Sequence, residues 1–100
     1  VSSITVAELQ VGVERNRQRN QAASALEQFL QALKVADFDV QAAAMYGKIR
    51  TQLEKLGTPI GPIDYLIAAH ALSLDVTLVT NNVRAFNRVP GLKPENWVNS

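Results

Sequence analysis

Apolar residues recur at helical spacing in four stretches of this 100-residue chain, and polar residues punctuate them. In the first stretch Val6, Leu9 and Val13 share a face, and Ser2, Ser3 and Thr5 ahead of them are all competent helix N-caps. Val1 to Ile4 reads as the end of a short strand. The basic run Arg15-Asn16-Arg17-Gln18-Arg19-Asn20 predicts a turn or helix junction. Gln21 to Leu33 is a second helix, with Ala22, Leu26, Phe29, Leu30 and Leu33 on one face. Lys34 to Phe38 reads as another short strand. Asp39 caps a third helix whose stripe is Ala42, Tyr46, Ile49, Leu53 and Leu56, and Gly57 stops it.

A tight loop, Gly57 to Gly61, leads into the fourth helix. Gly61 breaks the chain there, and Pro62 suits a first helical position because its missing N–H goes unused. Asp64 falls in the first turn, where the positive end of the helix favours a carboxylate. Ile63, Ile67, His70 and Leu74 form a core stripe, while Asp64, Ala68 and Ala71 form a second stripe with small residues and open space. After Leu74-Asp75, Thr77-Leu78-Val79-Thr80 reads as a buried parallel strand. Asn81 and Asn82 lie at its C-terminal end, where open α/β sheets place functional groups. Val83 to Arg88 is a short helix with Phe86 inward, Pro90-Gly91 a turn, and Glu95 to Val98 an edge strand. Helices alternating with short strands predict an α/β fold over residues 1–100 as one domain.

Composition narrows the chemistry. The formal charge of +1 gives no bulk signal for nucleic acid. The absence of cysteine excludes disulfides and thiolate metal sites and fits a reducing, cytoplasmic compartment. No apolar run reaches transmembrane length, and the N-terminus carries no signal-peptide pattern. The first residue is Val1, which leads us to expect an upstream segment. Any metal must use oxygen ligands or His70, the lone histidine, which sits on an apolar stripe and reads as a packing residue.

Two carboxylates then invite comparison. Glu8 reads as a first-turn residue with Gly12 one turn on, and a helix-interior glycine there suits close approach of a backbone or ligand. Glu8 and Asp64 each have a plainer reading, as dipole-complementing residues. With Asn81 and Asn82 they would form an oxygen-rich pocket of the kind that suits Mg²⁺ or Mn²⁺ and serves phosphodiester hydrolysis.

The blocks Ser2 to Glu14, Gly61 to Ala71 and Leu78 to Phe86, trailed by Gly91-Leu92 and Glu95-Asn96-Trp97, carry a resemblance. The chain resembles the PIN-domain ribonucleases and, within them, the VapC-type toxins of bacterial toxin–antitoxin pairs. The resemblance implies a short parallel sheet flanked by helices. It also implies a Mg²⁺- or Mn²⁺-dependent endoribonuclease that inhibits translation, with Glu8 and Asp64 in the metal site. Asn82 falls where many relatives carry aspartate, and the Thr80-Asn81-Asn82 form looks like the subgroup that cuts initiator tRNA. There Asn82 joins the catalytic set, Thr80 is a supporting polar group, and Asn81, Arg84, Arg15, Arg17 and Arg19 are candidate RNA contacts. The implied partners are RNA, a VapB-type antitoxin and a second copy of the chain, with no membrane.

The family pattern opens with a central strand that carries a first catalytic aspartate upstream of the equivalent of Val1. This leads us to expect an N-terminally truncated PIN-like domain whose sheet and metal site lack one member. An alternative reading follows, in which the chain is a catalytically incomplete fragment that acts only as a binding or self-associating module.

Overall fold

The computed structural model describes residues 3–34, 36–80 and 83–96. The chain divides into two units, residues 1–38 and 39–100.

In the first unit α1 (Ser3–Arg15) packs on α2 (Arg19–Leu33). The basic run between them is the predicted junction: Asn16 Oδ1 accepts the Gln18 N–H at 2.8 Å, a local side-chain turn. Val13, Leu26 and Phe29 are buried. The predicted strand at Lys34 to Phe38 is not one. Lys34 stays in the right-handed region as the C-cap of α2, and the Ala36 N–H reaches back to the Ala32 carbonyl at 3.2 Å. Phe38 then meets Phe29 edge to face, centroids 5.8 Å apart. Val35 lies outside the described residues. The predicted strand at Val1 to Ile4 is also corrected, because Ser3 and Ile4 belong to α1. Strand propensity at a few residues is a weak prior beside a continuing helix. Val1 and Ser2 lie outside the described residues.

In the second unit the local signals hold. Asp39 Oδ1 accepts the Ala42 N–H at 2.9 Å and starts α3 (Val40–Lys55). Gly57, at φ 73°, ends it in the left-handed region that glycine adopts without strain. Gly61 and Pro62 open α4 (Pro62–Leu74), and Asp75, at φ 55°, closes it. β1 (Leu78–Thr80) and β2 (Pro94–Asn96) pair in parallel, Leu78 opposite Pro94, with α5 (Val83–Phe86) between them in the chain. The connection over residues 81–93 has the length a parallel crossover needs. Trp97 and Val98 lie outside the described residues.

Packing corrects two faces. Leu56 and Leu74, expected in the core, are exposed: Leu56 is the C-cap of α3 and Leu74 the last residue of α4, where the chain leaves each helix. Ala68 and Ala71, expected beneath open space, are buried. Helix α4 buries Ile63, Tyr65, Ile67, Ala68, Ala69, His70 and Ala71, so it is enclosed nearly all round.

Candidate active site

Asp64 is the third residue of α4, three positions after the N-cap Gly61. Its carboxylate is half-buried and folds back over the N-cap, where it accepts the Gly61 N–H. That contact satisfies one of the orphan donors at the helix start, as the third-position acid of a capping box does. Gly61 makes room for it: a Cβ there would lie 3.1 Å from Asp64 Oδ2. Burial raises the Asp64 pKa from its ordinary value, and the Gly61 hydrogen bond opposes that rise. The result is a carboxylate held in place by the backbone and partly stripped of water.

The loop before it is fixed as well. The Ile60 N–H donates to Tyr65 Oη at 3.2 Å, and Arg88 Nη1 donates to the Pro59 carbonyl at 2.9 Å. Tyr65 is buried, its ring edge to face with Tyr46 at 6.2 Å. Arg50 lies 5.7 Å from the Tyr65 centroid and donates to Tyr46 Oη at 2.6 Å. Pattern reading missed Tyr65 and Arg88, because a side chain reaching a loop carbonyl or amide leaves no periodic trace. The Gly61-Pro62-Ile63-Asp64 spacing was the available signal for the fold-back of Asp64.

Glu8 is exposed on α1. The helix starts at Ser3, so Glu8 is in its second turn, not the first. A Cβ at Gly12 meets no protein atom within 4 Å, so no backbone makes the close approach expected there. Glu8 and Asp64 belong to different units. Among the described residues no group of three or more histidine and acidic side chains could hold a metal ion. Asn81 and Asn82 lie outside the described residues. Thr80 is buried at the end of β1. Arg84 is exposed on α5. Arg15 is exposed, and Arg17 and Arg19 line a shallow polar concavity of about 460 Å³ with Glu14. Glu14 pairs with Arg19 at 3.5 Å, an exposed pair of little energetic weight. His70 is buried within α4, as its apolar stripe implied. No described helix is long and apolar enough to cross a membrane.

The PIN domain family model matches residues 1–92. Ribonuclease VapC2 of Rickettsia felis is 46% identical over 97 residues, covering 97% of this chain and 72% of that protein. The tRNA(fMet)-specific endonuclease VapC of Salmonella typhimurium is 44% identical over 97 residues, covering 97% of this chain and 74% of that protein. In three dimensions the chain matches VapBC2 from Rickettsia felis, solved bound to a DNA fragment from its promoter. The TM-score is 0.61 at 46% identity, over 95% of this chain and 71% of the other. A helix-flanked parallel sheet, an acidic helix start and this similarity along the chain agree: the chain belongs to the PIN-domain family, among the VapC ribonucleases.

Proposed function

We propose that this chain is a metal-dependent endoribonuclease that cuts RNA phosphodiesters, with initiator tRNA as the substrate class. Inhibition of translation follows from that cut, and a VapB-type antitoxin neutralises it. The observation that carries the reading is the held, half-buried Asp64 carboxylate at the mouth of an apolar helix. It occurs in a chain 44% identical to a protein named for cleaving tRNA(fMet). The antitoxin enters through relatives solved as VapBC complexes.

The donor chemistry suits a hard divalent cation. Asp64 offers carboxylate oxygens whose ionised form is disfavoured by burial, and a nearby cation favours that form. Asp64 and Glu8 would hold Mg²⁺ or Mn²⁺, with the amide of Asn82 as a neutral oxygen donor. When bound, such an ion lowers the pKa of water and stabilises charge on the attacked phosphate. Gly61 and the α4 N-terminus fix the direction of Asp64. Thr80 supports the strand end, and Asn81, Arg84, Arg15, Arg17 and Arg19 are the candidate RNA contacts. Self-association accompanies antitoxin binding in this reading. One family match across residues 1–92 supports treating both units as parts of one domain.

The test is cleavage of purified tRNA with Mg²⁺ and with chelator, resolved by end-labelling. Initiator tRNA is expected to be cut in its anticodon loop, and the cut is lost on chelation. Tight antitoxin binding with no metal-stimulated cleavage of any RNA would overturn the enzymatic reading in favour of a binding module.

A further inference from the structure

The peptide unit joining Pro59 to Ile60 is held at both ends by side chains from later in the chain. Its carbonyl accepts from Arg88 Nη1 at 2.9 Å, and its N–H donates to Tyr65 Oη at 3.2 Å. Pinning both ends of one planar unit fixes its rotation, and that rotation sets how the chain enters Gly61. The next N–H, that of Gly61, is the one the Asp64 carboxylate accepts. The rest of the loop is tied at its start, where the Thr58 N–H donates to the Leu53 carbonyl at 2.9 Å.

The two pins differ in kind. Tyr65 is buried and packs in the core, so its place is secured by the fold. Arg88 is exposed and follows α5, the helix that begins directly after Thr80-Asn81-Asn82. Its hydrogen bond to Pro59 spans 29 residues. It ties the segment after β1 to the loop that leads into α4 and Asp64, and its removal takes nothing from the core.

We infer that Arg88 is a positioning residue for Asp64: together with Tyr65 it clamps the Pro59–Ile60 peptide and thereby fixes the Gly61 N–H against which the Asp64 carboxylate rests. The inference rests on the proposed place of Asp64 in the cleavage reaction, and its experiment is read in two independent ways. Amide hydrogen exchange is measured on the whole chain for wild type, Arg88→Ala, Arg88→Lys and Tyr65→Phe. Exchange at Ile60 is expected to quicken about tenfold in Arg88→Ala and in Tyr65→Phe, while Ala69 inside α4 is unchanged. Arg88→Lys restores slow exchange, since one N–H to a carbonyl is all the contact needs.

Cleavage kinetics give the second reading. In Arg88→Ala, kcat falls about fivefold to tenfold with KM within about twofold, and Arg88→Lys recovers most of it. Unchanged exchange at Ile60 overturns the clamp. A raised KM with kcat intact overturns the positioning role, because Arg88 would then be holding RNA. If the wild type shows no metal-dependent cleavage, the proposed function fails by itself, and the exchange measurements alone decide whether Arg88 holds the loop.

Discussion

Helices α1 and α4 are each 13 residues long, and each carries one candidate carboxylate near its start. Their surroundings differ. From Val6 to Arg15 α1 buries only Val13, whereas α4 buries seven side chains. Asp64 therefore stands on a base that the core immobilises, with a backbone N–H holding its carboxylate and burial disfavouring its charge. Glu8 stands on an exposed face in a second turn, with open space over Gly12. The contrast teaches that one carboxylate is set in place by folding, while the other keeps its rotamer freedom until something binds it. Ordering a long, exposed side chain at the moment of binding costs conformational entropy that Asp64 has already surrendered.

The sharpest break of this comparison is in cleavage. Asp64→Asn is expected to lower kcat/KM by about 10³-fold, equivalent to about 4 kcal/mol of transition-state stabilisation. Glu8→Gln is expected to lower it by about 10²-fold, because part of the Glu8 contribution is offset by its ordering cost. Single-turnover cleavage of initiator tRNA measures both. The reverse order of effects would place the dominant carboxylate on α1 and remove the significance of the Asp64 setting.

Stability gives the next contrast. Ala68 is fully enclosed in α4, so Ala68→Leu overpacks the core and is expected to cost about 1–3 kcal/mol. Ala7, exposed on α1, tolerates the same change within about 0.5 kcal/mol. Urea denaturation with an unchanged m-value checks both. A smaller effect runs the other way on α1. Gly12→Ala places its Cβ in free space, and is expected to stabilise by about 0.5–1 kcal/mol. A loss of stability there would show that another group approaches Gly12 after all.

These differences explain which parts of the molecule were legible from residues alone. Asp39, Gly57, Gly61, Pro62 and the parallel β1 rest on local chemistry, and the structure keeps them all. The segment Lys34 to Phe38 satisfies a strand pattern equally well, but Lys34 continues the turn of α2, the Ala36 N–H returns to the Ala32 carbonyl, and Phe38 packs on Phe29. Helix α4 is apolar nearly all round, so periodicity does not say which stripe is open, and both are buried apart from the half-buried Asp64 and the exposed Leu74. Glu8 and Asp64 are equivalent first-turn acids only if Thr5 caps α1; the helix already includes Ser3, which puts Glu8 a turn further from the positive helix end than Asp64. The Arg88–Pro59 contact joins an arginine to a backbone carbonyl far away, which no residue pattern encodes.

The finest test of the α1–α4 contrast is pH. Burial raises the Asp64 pKa above its ordinary value of 3.8, so the folded state binds that proton more tightly than the unfolded chain does. The stability linked to Asp64 is therefore fully present below 3.8 and is lost as pH rises through the raised value. Asp64→Asn removes the ionisation while leaving an oxygen to accept the Gly61 N–H. With chelator present, the variant is expected to melt on the order of 2 °C above wild type at pH 7, a gap that closes as pH falls toward that of an ordinary carboxylate. Thermal melts between pH 4 and 7 measure it. Adding Mg²⁺ to the wild type should narrow the gap at pH 7, because a cation at the carboxylate stabilises its ionised form. A wild type that melts with the variant at every pH would mean that Asp64 is as well solvated as Glu8, and the contrast between the two helices would fail at the residue where it matters most.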